Sequence, residues 1–303
     1  MRSLALFLAT IVPSAAFCMK PTEPRSPPSS LLKLRGGRLE LAALTSPTLG
    51  IPALAGIGAG VLLPLTMYRQ AYGFSVGYGL SVAAMSSCLL LHFQPPPASL
   101  AALHTGCVAV YGVRLGLHLL IRELTVPEKA AQLKAMDRSP RAKRIPFAAS
   151  VSLLYAMMAS PAMYALQAGA ASPTSPLAIA GVCMQWSGCL LEGVADTHKL
   201  LAKRRAADSK NWQGPSGGCF ALSRHPNYAG ELLFWAGTFL GGAPSFGLHP
   251  LPWLAGGLGL AAITSIMLGA TKRLETKQRE RYGGQPEYEA WVAKTAPLFV
   301  GSF

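Results

Sequence analysis

The chain has 303 residues, of which 51% are hydrophobic and only 13% charged, and its mean hydropathy is +0.34. Soluble domains carry roughly 25% charged residues, so the composition argues against an ordinary soluble enzyme, a disordered protein or a small disulfide scaffold. Lys and Arg number 27 against 13 Asp and Glu, a formal charge of +14. In a membrane chain that surplus belongs to the loops of one side, which leaves no call for a nucleic-acid partner.

Residues 1–16 have the layout of a signal peptide, with Arg2, the apolar run Leu4–Val12 and the small residues Ser14, Ala15 and Ala16. Residues 17–38 are rich in Pro and Ser and carry Lys20, Arg25, Lys33, Arg35 and Arg38 against Glu23. Such a tract cannot bury a core and reads as a disordered, transit-peptide-like segment. A signal followed by a transit-like tract that opens at Phe17 resembles the bipartite presequence of algae with complex plastids. A plain signal peptide with a basic tail would lead instead to the endoplasmic reticulum. The expected location is therefore a plastid membrane or the endoplasmic reticulum, with residues 39–303 as the integral membrane domain.

Seven apolar stretches able to span a bilayer follow, at 41–67, 73–93, 98–121, 147–169, 176–197, 228–247 and 251–271. The expected fold is an all-α polytopic bundle of about seven transmembrane helices. Pro47, Pro52 and Pro64 interrupt the first stretch, and Gly241, Gly242 and Pro244 make an irregular end to the sixth. The basic residues fix the sidedness. Arg69 follows span 1, and Arg122, Lys129, Lys134, Arg138, Arg141, Lys143 and Arg144 follow span 3. Lys199, Lys203, Arg204, Arg205, Lys210 and Arg224 follow span 5, and Lys272, Arg273, Lys277, Arg279, Arg281 and Lys294 follow span 7. The connections after spans 2, 4 and 6 carry none, so every basic connection follows an odd-numbered span and the C-terminus faces the cytosol or stroma. The six cysteines are scattered, form no CxxC or Cys/His cluster, and indicate neither a disulfide framework nor a metal site.

Ionisable groups near apolar spans mark function by default, and four places carry them. In the segment from Cys219 to Trp235, Pro226 suits the first turn of a helix, with Ser223 nearby as a cap. A helix start beside Arg224 and His225 makes an anion site, and Asn227 and Glu231 share a face with Phe234 and Trp235. In the second place, Glu192, Asp196, Lys199 and Lys203 recur at spacings of four, three and four. They form either a self-neutralising ladder or, with Arg204 and Arg205, a hold for phosphates. In the tail, Glu275 and Arg279 are four apart and read as an ion pair on a solvated amphipathic helix. In the third span, Arg114, His118 and Arg122 lie on one stripe, and Arg114 requires an anion, a carboxylate or room to snorkel. His92, His104 and His249 read as structural.

Ser223-Arg-His-Pro-Asn-Tyr-Ala-Gly-Glu231 with Trp235 resembles the membrane reductases that share a steroid 5-alpha-reductase-type C-terminal domain. It is closest to the DUF1295-like branch of unknown function. Asp196 to Lys199 and Lys203, Asn211 with Trp212, and Glu275 followed by Arg281, Tyr282 and Tyr288 extend the likeness, as does Arg114-Leu-Gly-Leu-His118. The match covers residues 192–303 well, whereas residues 39–110 match only in being apolar. The resemblance implies a multi-span enzyme that takes NADPH in a cavity on the basic side and transfers hydride to a C=C bond of a hydrophobic lipid of sterol, isoprenoid or fatty-acyl type. The positions it implies for the cofactor are Asp196, Lys199, Lys203, Asn211, Trp212, Arg224, His225, Asn227, Tyr228, Glu231, Arg281, Tyr282 and Tyr288. Reduction of an enone needs a proton donor at its carbonyl. In the steroid-reducing relatives this donor lies in the N-terminal half, where no match is found. Tyr228, Glu231 and Tyr111 are the candidates, and Tyr72, Tyr78 and His104 are available but undistinguished. The implied partners are the lipid substrate and bilayer lipids, without metal.

Two other classes compete. Membrane methyltransferases that use S-adenosylmethionine also carry Arg-His-Pro-x-Tyr-x-Gly, but usually with two adjacent Glu residues in the tail, where this chain has Glu275-Thr276. A non-enzymatic lipid-binding membrane protein is the third.

Overall fold

The computed structural model describes residues 49–169, 174–205 and 211–299. The signal peptide, the transit-like tract, residues 41–48 of the first expected span, Lys210 and the side chain of Arg205 lie outside the described residues. The described chain is helical throughout and contains no β-strand. The helices are α1 (Ile51–Tyr68), α2 (Val76–Phe93), α3 (Leu100–Thr125), α4 (Pro127–Ala135), α5 (Arg141–Gln167), α6 (Pro176–Arg205), α7 (Pro226–Gly242), α8 (Pro250–Tyr282) and α9 (Pro286–Lys294).

Proline opens five of these helices, from α4 through Pro127 to α9 through Pro286. The first helical residue has no use for its N–H, so proline is tolerated there. Ser99 Oγ accepts the Ala102 N–H at 3.2 Å, and Ser175 Oγ accepts that of Ala178 at 3.1 Å, which caps α3 and α6. Pro64 lies inside α1, and Pro146 and Pro161 lie inside α5. Lipid-embedded helices accept such residues where neighbouring helices re-satisfy the freed backbone.

Six helices (α1, α2, α3, α5, α6 and α8) are long and apolar enough to cross a bilayer. The sixth expected span, 228–247, corresponds to α7, which has 17 residues and covers about 25 Å at 1.5 Å per residue. It is shorter than expected because Gly242 ends it and a 3-10 turn, Ala243–Ser245, follows. Its course is nevertheless transverse. Arg224 and His225, just before α7, meet Glu275 near the end of α8, while Phe239 near the far end of α7 meets Trp253 near the start of α8. The two helices are antiparallel, and the bundle of six apolar helices with α7 gathers the basic ends of α1, α3, α6 and α8 on one side. The chain is thus a multi-pass membrane bundle, and its outward faces carry exposed Leu190, Val194, Leu254 and Leu258.

The core runs along α5, which packs on α1, α2, α7 and α8. Tyr78, Met85, Tyr111, Met163, Phe234 and Trp235 are buried there. The α6–α7 seam is closer still. A Cβ on Gly230 would lie 2.7 Å from Glu192 N, and one on Gly188 would strike the backbone at Phe234 N. Only glycine lets two backbones approach this far. The described cysteines are all free thiols.

Candidate functional site

A cavity of about 700 Å³ lies at the basic end of the bundle. Its floor and walls come from the ends of α3 and α6, the segment 212–228, the C-terminal half of α8, and α4. Among the described residues, Arg122, Lys129, Lys199, Lys203, Arg224, Arg273, Lys277 and Arg281 line it against two carboxylates, Glu128 and Asp196. Trp212, Tyr228, Tyr282 and Trp291 add aromatic surface.

The C-terminal tail builds one wall. Arg224 Nη2 lies 2.7 Å from Glu275 Oε2, Arg224 Nε donates to the same oxygen at 2.9 Å, and Nη1 donates to the carbonyls of Val292 at 3.2 Å and Thr295. His225 Nε2 is 2.6 Å from Glu275 Oε1. The backbone N–H groups of Arg224 and His225 donate to Ala296 O (2.8 Å) and Pro297 O (3.1 Å). Trp291 Nε1 donates to Phe220 O at 2.8 Å, and Trp212 N donates to Gln285 Oε1 at 2.7 Å. Glu275 therefore pairs across helices with Arg224 and His225. The expected pairing with Arg279 gives way because the buried pair that begins α7 offers three donors. Arg224 serves as a staple for the tail, and the anion site expected at this helix start has its guanidinium already engaged. His225 is fully buried, and burial holds its pKa below the ordinary histidine value, although the bond to Glu275 pulls the other way.

The acids of α6 likewise turn across the bundle. Arg114 Nη2 lies 2.6 Å from Glu192 Oε1, and Arg114 Nη1 donates to Asp196 Oδ2 at 2.9 Å. The arginine also sits 5.3 Å over the Tyr111 ring. Arg114 thus has the carboxylates its depth requires. The ladder reading of 192–203 is corrected accordingly: the acids pair with α3, and Lys199 and Lys203 are left facing the cavity.

Nine of the thirteen positions implied for a cofactor line the cavity: Asp196, Lys199, Lys203, Trp212, Arg224, Asn227, Tyr228, Arg281 and Tyr282. His225 and Tyr288 stand behind the wall. Asn211 and Glu231 are not part of the lining, and Glu231 lies one turn deeper in α7. Tyr228, stacked on His225 with ring centroids 5.7 Å apart, is the one catalytic candidate on the cavity surface. Glu231 and Tyr111 belong to a buried cluster around Tyr78. The Tyr78 hydroxyl donates to Glu231 Oε1 at 2.9 Å, accepts from Trp235 Nε1 at 2.6 Å, and stands 3.4 Å from Tyr111 OH. Tyr111 stacks on Phe234 at 3.8 Å.

Residue type and spacing did not single out Tyr78, because its partners come from a helix some 150 positions later. The same holds for Lys129 and Gln132, which read in sequence as part of a basic connection and here form cavity wall. Burial, together with Arg122, Lys203 and Lys277, holds the Lys129 ammonium down to about 8.

Fold and cavity together define a multi-pass helical membrane protein with a cationic, aromatic-walled pocket on its basic side. The chain belongs to the family described as "Protein of unknown function (DUF1295)", whose profile matches residues 72–295. The match begins much earlier than the C-terminal likeness suggested. It takes in α2 and α3, and with them Tyr78, Tyr111 and Arg114. A comparison with curated proteins gave no match.

Proposed function

We propose that the chain is an integral membrane oxidoreductase that binds NADPH in the basic cavity and transfers hydride to a C=C bond of a hydrophobic lipid. The observation that carries this reading is the cavity's charge: among the described residues, eight cations against two carboxylates, beside five aromatic rings. A pyrophosphate with a further phosphate suits such a wall, since clustered Lys and Arg side chains make strong, charge-assisted hydrogen bonds to phosphate oxygens. Aromatic faces suit its planar bases. Pockets for ligands of cofactor size run to about 300–1,000 Å³, and this one falls within that range.

The residues fit such a ligand in one further respect. Asn227 lines the cavity, and its buried Oδ1 has no hydrogen-bond partner among the described residues, so its amide is available for an outside group. Lys199, Lys203, Arg122 and Lys277 would hold phosphates, and Trp212, Tyr228 and Tyr282 would flank the bases. The reduced nicotinamide supplies the hydride when bound. The chain supplies proton carriers, with the Tyr228 hydroxyl at the cavity surface and, beneath it, the Tyr78 hydroxyl donating to Glu231 Oε1.

S-adenosylmethionine would bring a sulfonium cation into the same cavity, and the excess of positive charge disfavours it. The deciding experiment is calorimetric binding of NADPH, NADH and S-adenosylmethionine to detergent-purified protein, with Asn227→Ala and Lys203→Ala as controls. Selective NADPH binding, weakened in both variants, is the expected result. Selective binding of S-adenosylmethionine would replace the reductase by a methyltransferase. A folded protein that binds none of the three would leave the non-enzymatic lipid binder.

A further inference from the structure

α4 contributes Glu128, Lys129 and Gln132 to the cavity wall, yet none of its nine residues is buried. Its two ends are tied down. Before it, Glu123 in the last turns of α3 pairs with Arg69. After it, Asp137 Oδ1 accepts the Gln70 N–H at 2.6 Å and lies 3.5 Å from Arg144 Nη1. Gln70 Oε1 accepts the Ser139 N–H at 3.3 Å, and Arg144 Nε donates to Ser139 O at 3.0 Å. Between these anchors, Lys129 Nζ donates to Gln132 Oε1 at 2.9 Å, within the helix itself. A single extended residue, Val126, followed by Pro127, separates α4 from α3 and makes a joint. The helix is therefore fastened at both ends and lies loosely between them.

The charges around Lys129 explain why it does not pack down. Arg122 from α3, Lys203 from α6 and Lys277 from α8 face it, and Glu128 of α4 is the one carboxylate among these neighbours. Like charges at such range repel, and a surface exposed to water only partly screens them. A ligand that carries several negative charges would offset these repulsions by attracting all four cations to one shared anion.

We infer that α4 is a strap that closes over the cavity when a polyphosphate ligand neutralises the ring formed by Arg122, Lys129, Lys203 and Lys277, and that Lys129 binds a proton as it closes. This rests on the cavity being the dinucleotide site proposed above, but the closure itself requires only the phosphates. The proton follows from linkage. Without ligand, its half-buried place on the cavity wall and the three cations hold the Lys129 ammonium down to about 8. With phosphate beside it the charged form is favoured, so its pKa rises towards or beyond the ordinary lysine value of about 10.4. Lys129 then takes up protons on binding between these two values, its own share being roughly half a proton per ligand at pH 8 and more at pH 9.

The test is amide hydrogen exchange of residues 127–135 in the full chain in detergent, with saturating NADPH and, separately, with inorganic tripolyphosphate. Calorimetry of NADPH binding at pH 8 and 9, in buffers of different ionisation enthalpy, counts the protons. Exchange in 127–135 is expected to slow about tenfold with either ligand. Lys129→Gln is expected to exchange alike with and without ligand and to take up fewer protons than the native chain. Lys129→Arg keeps a permanent charge, so it should retain the slowing and lose Lys129's share of the proton uptake, an outcome that a merely structural role for Lys129 would not give. Closure with tripolyphosphate but no binding of NADPH would uphold the strap and remove the NADPH reading. Unchanged exchange with both ligands, or a Lys129→Gln chain that responds like the native one, would overturn the strap.

Discussion

Two polar regions lie a few turns apart along α6 and α7, and they are built on opposite principles. In the buried region, Arg114 meets two carboxylates, Tyr78 meets Glu231 and Trp235, and the charges close on one another. In the cavity, cations crowd together and the protein supplies few anions to match. A charge at membrane depth must be neutralised by its own chain, because lipid offers nothing. A charge at the rim can wait for a ligand. The contrast separates scaffold from binding site more sharply than residue type does, since Glu192 and Lys199 sit two turns apart on α6 and belong to different regions.

The largest expected effect breaks the buried region. Arg114→Met leaves Glu192 and Asp196 without their cation, and should lower the stability of the detergent-solubilised protein by about 3–5 kcal/mol. A melting temperature within a degree or two of the native one would show that the pairing is not structural. Next, Tyr78→Phe removes the hydroxyl that serves both Glu231 and Trp235. The loss should be about 2 kcal/mol, read by thermal unfolding, and should exceed that of Tyr228→Phe at the cavity surface. The third prediction inverts the comparison. Lys203→Ala should weaken NADPH binding about tenfold, or about 1.4 kcal/mol, while leaving the melting temperature unchanged or raising it. A destabilised Lys203→Ala would place that lysine with the scaffold instead.

The smallest effect is a pH dependence at the staple between α7 and the tail. Burial lowers the His225 pKa in the folded chain, so the unfolded chain binds that proton first as the pH falls. The contribution of His225 is therefore full above the ordinary histidine value of about 6.5 and declines as the pH drops below it towards the lowered value. Limited proteolysis of the tail should accelerate between pH 7 and 5, and less so in His225→Gln. A flat profile in the native chain would remove His225 from the linkage.

Much of the fold could be read from the chain because its signals are local. Apolar length marks helices, and the alternation of basic and neutral connections places their ends. The shortness of α7 was foreshadowed by Gly241, Gly242 and Pro244. The pairings were less legible. Spacing along one helix suggested Glu275 with Arg279, and Glu192 and Asp196 with the lysines below them. The structure instead joins Glu275 to Arg224 and His225, and the α6 acids to Arg114. Such choices depend on how neighbouring helices are rotated and shifted, which a single segment does not encode. The need of Arg114 for a carboxylate could be foreseen from depth alone, though not which carboxylate would meet it. Lys129 was invisible for a different reason, since a cation that guides insertion and one that holds a phosphate look alike in sequence.

The glycine-lined contact of α6 with α7 has a mechanical consequence. With Gly188 and Gly230 letting main chain rest on main chain, there is no layer of side chains to shear, and the two helices behave as a single stiff plank. Lys199 and Lys203 ride on one half of it, Asn227 and Tyr228 on the other, so their spacing is set before any ligand arrives. Compliance must then come from thinner parts of the frame, and one face of the cavity acts as an anvil against which the rest can move.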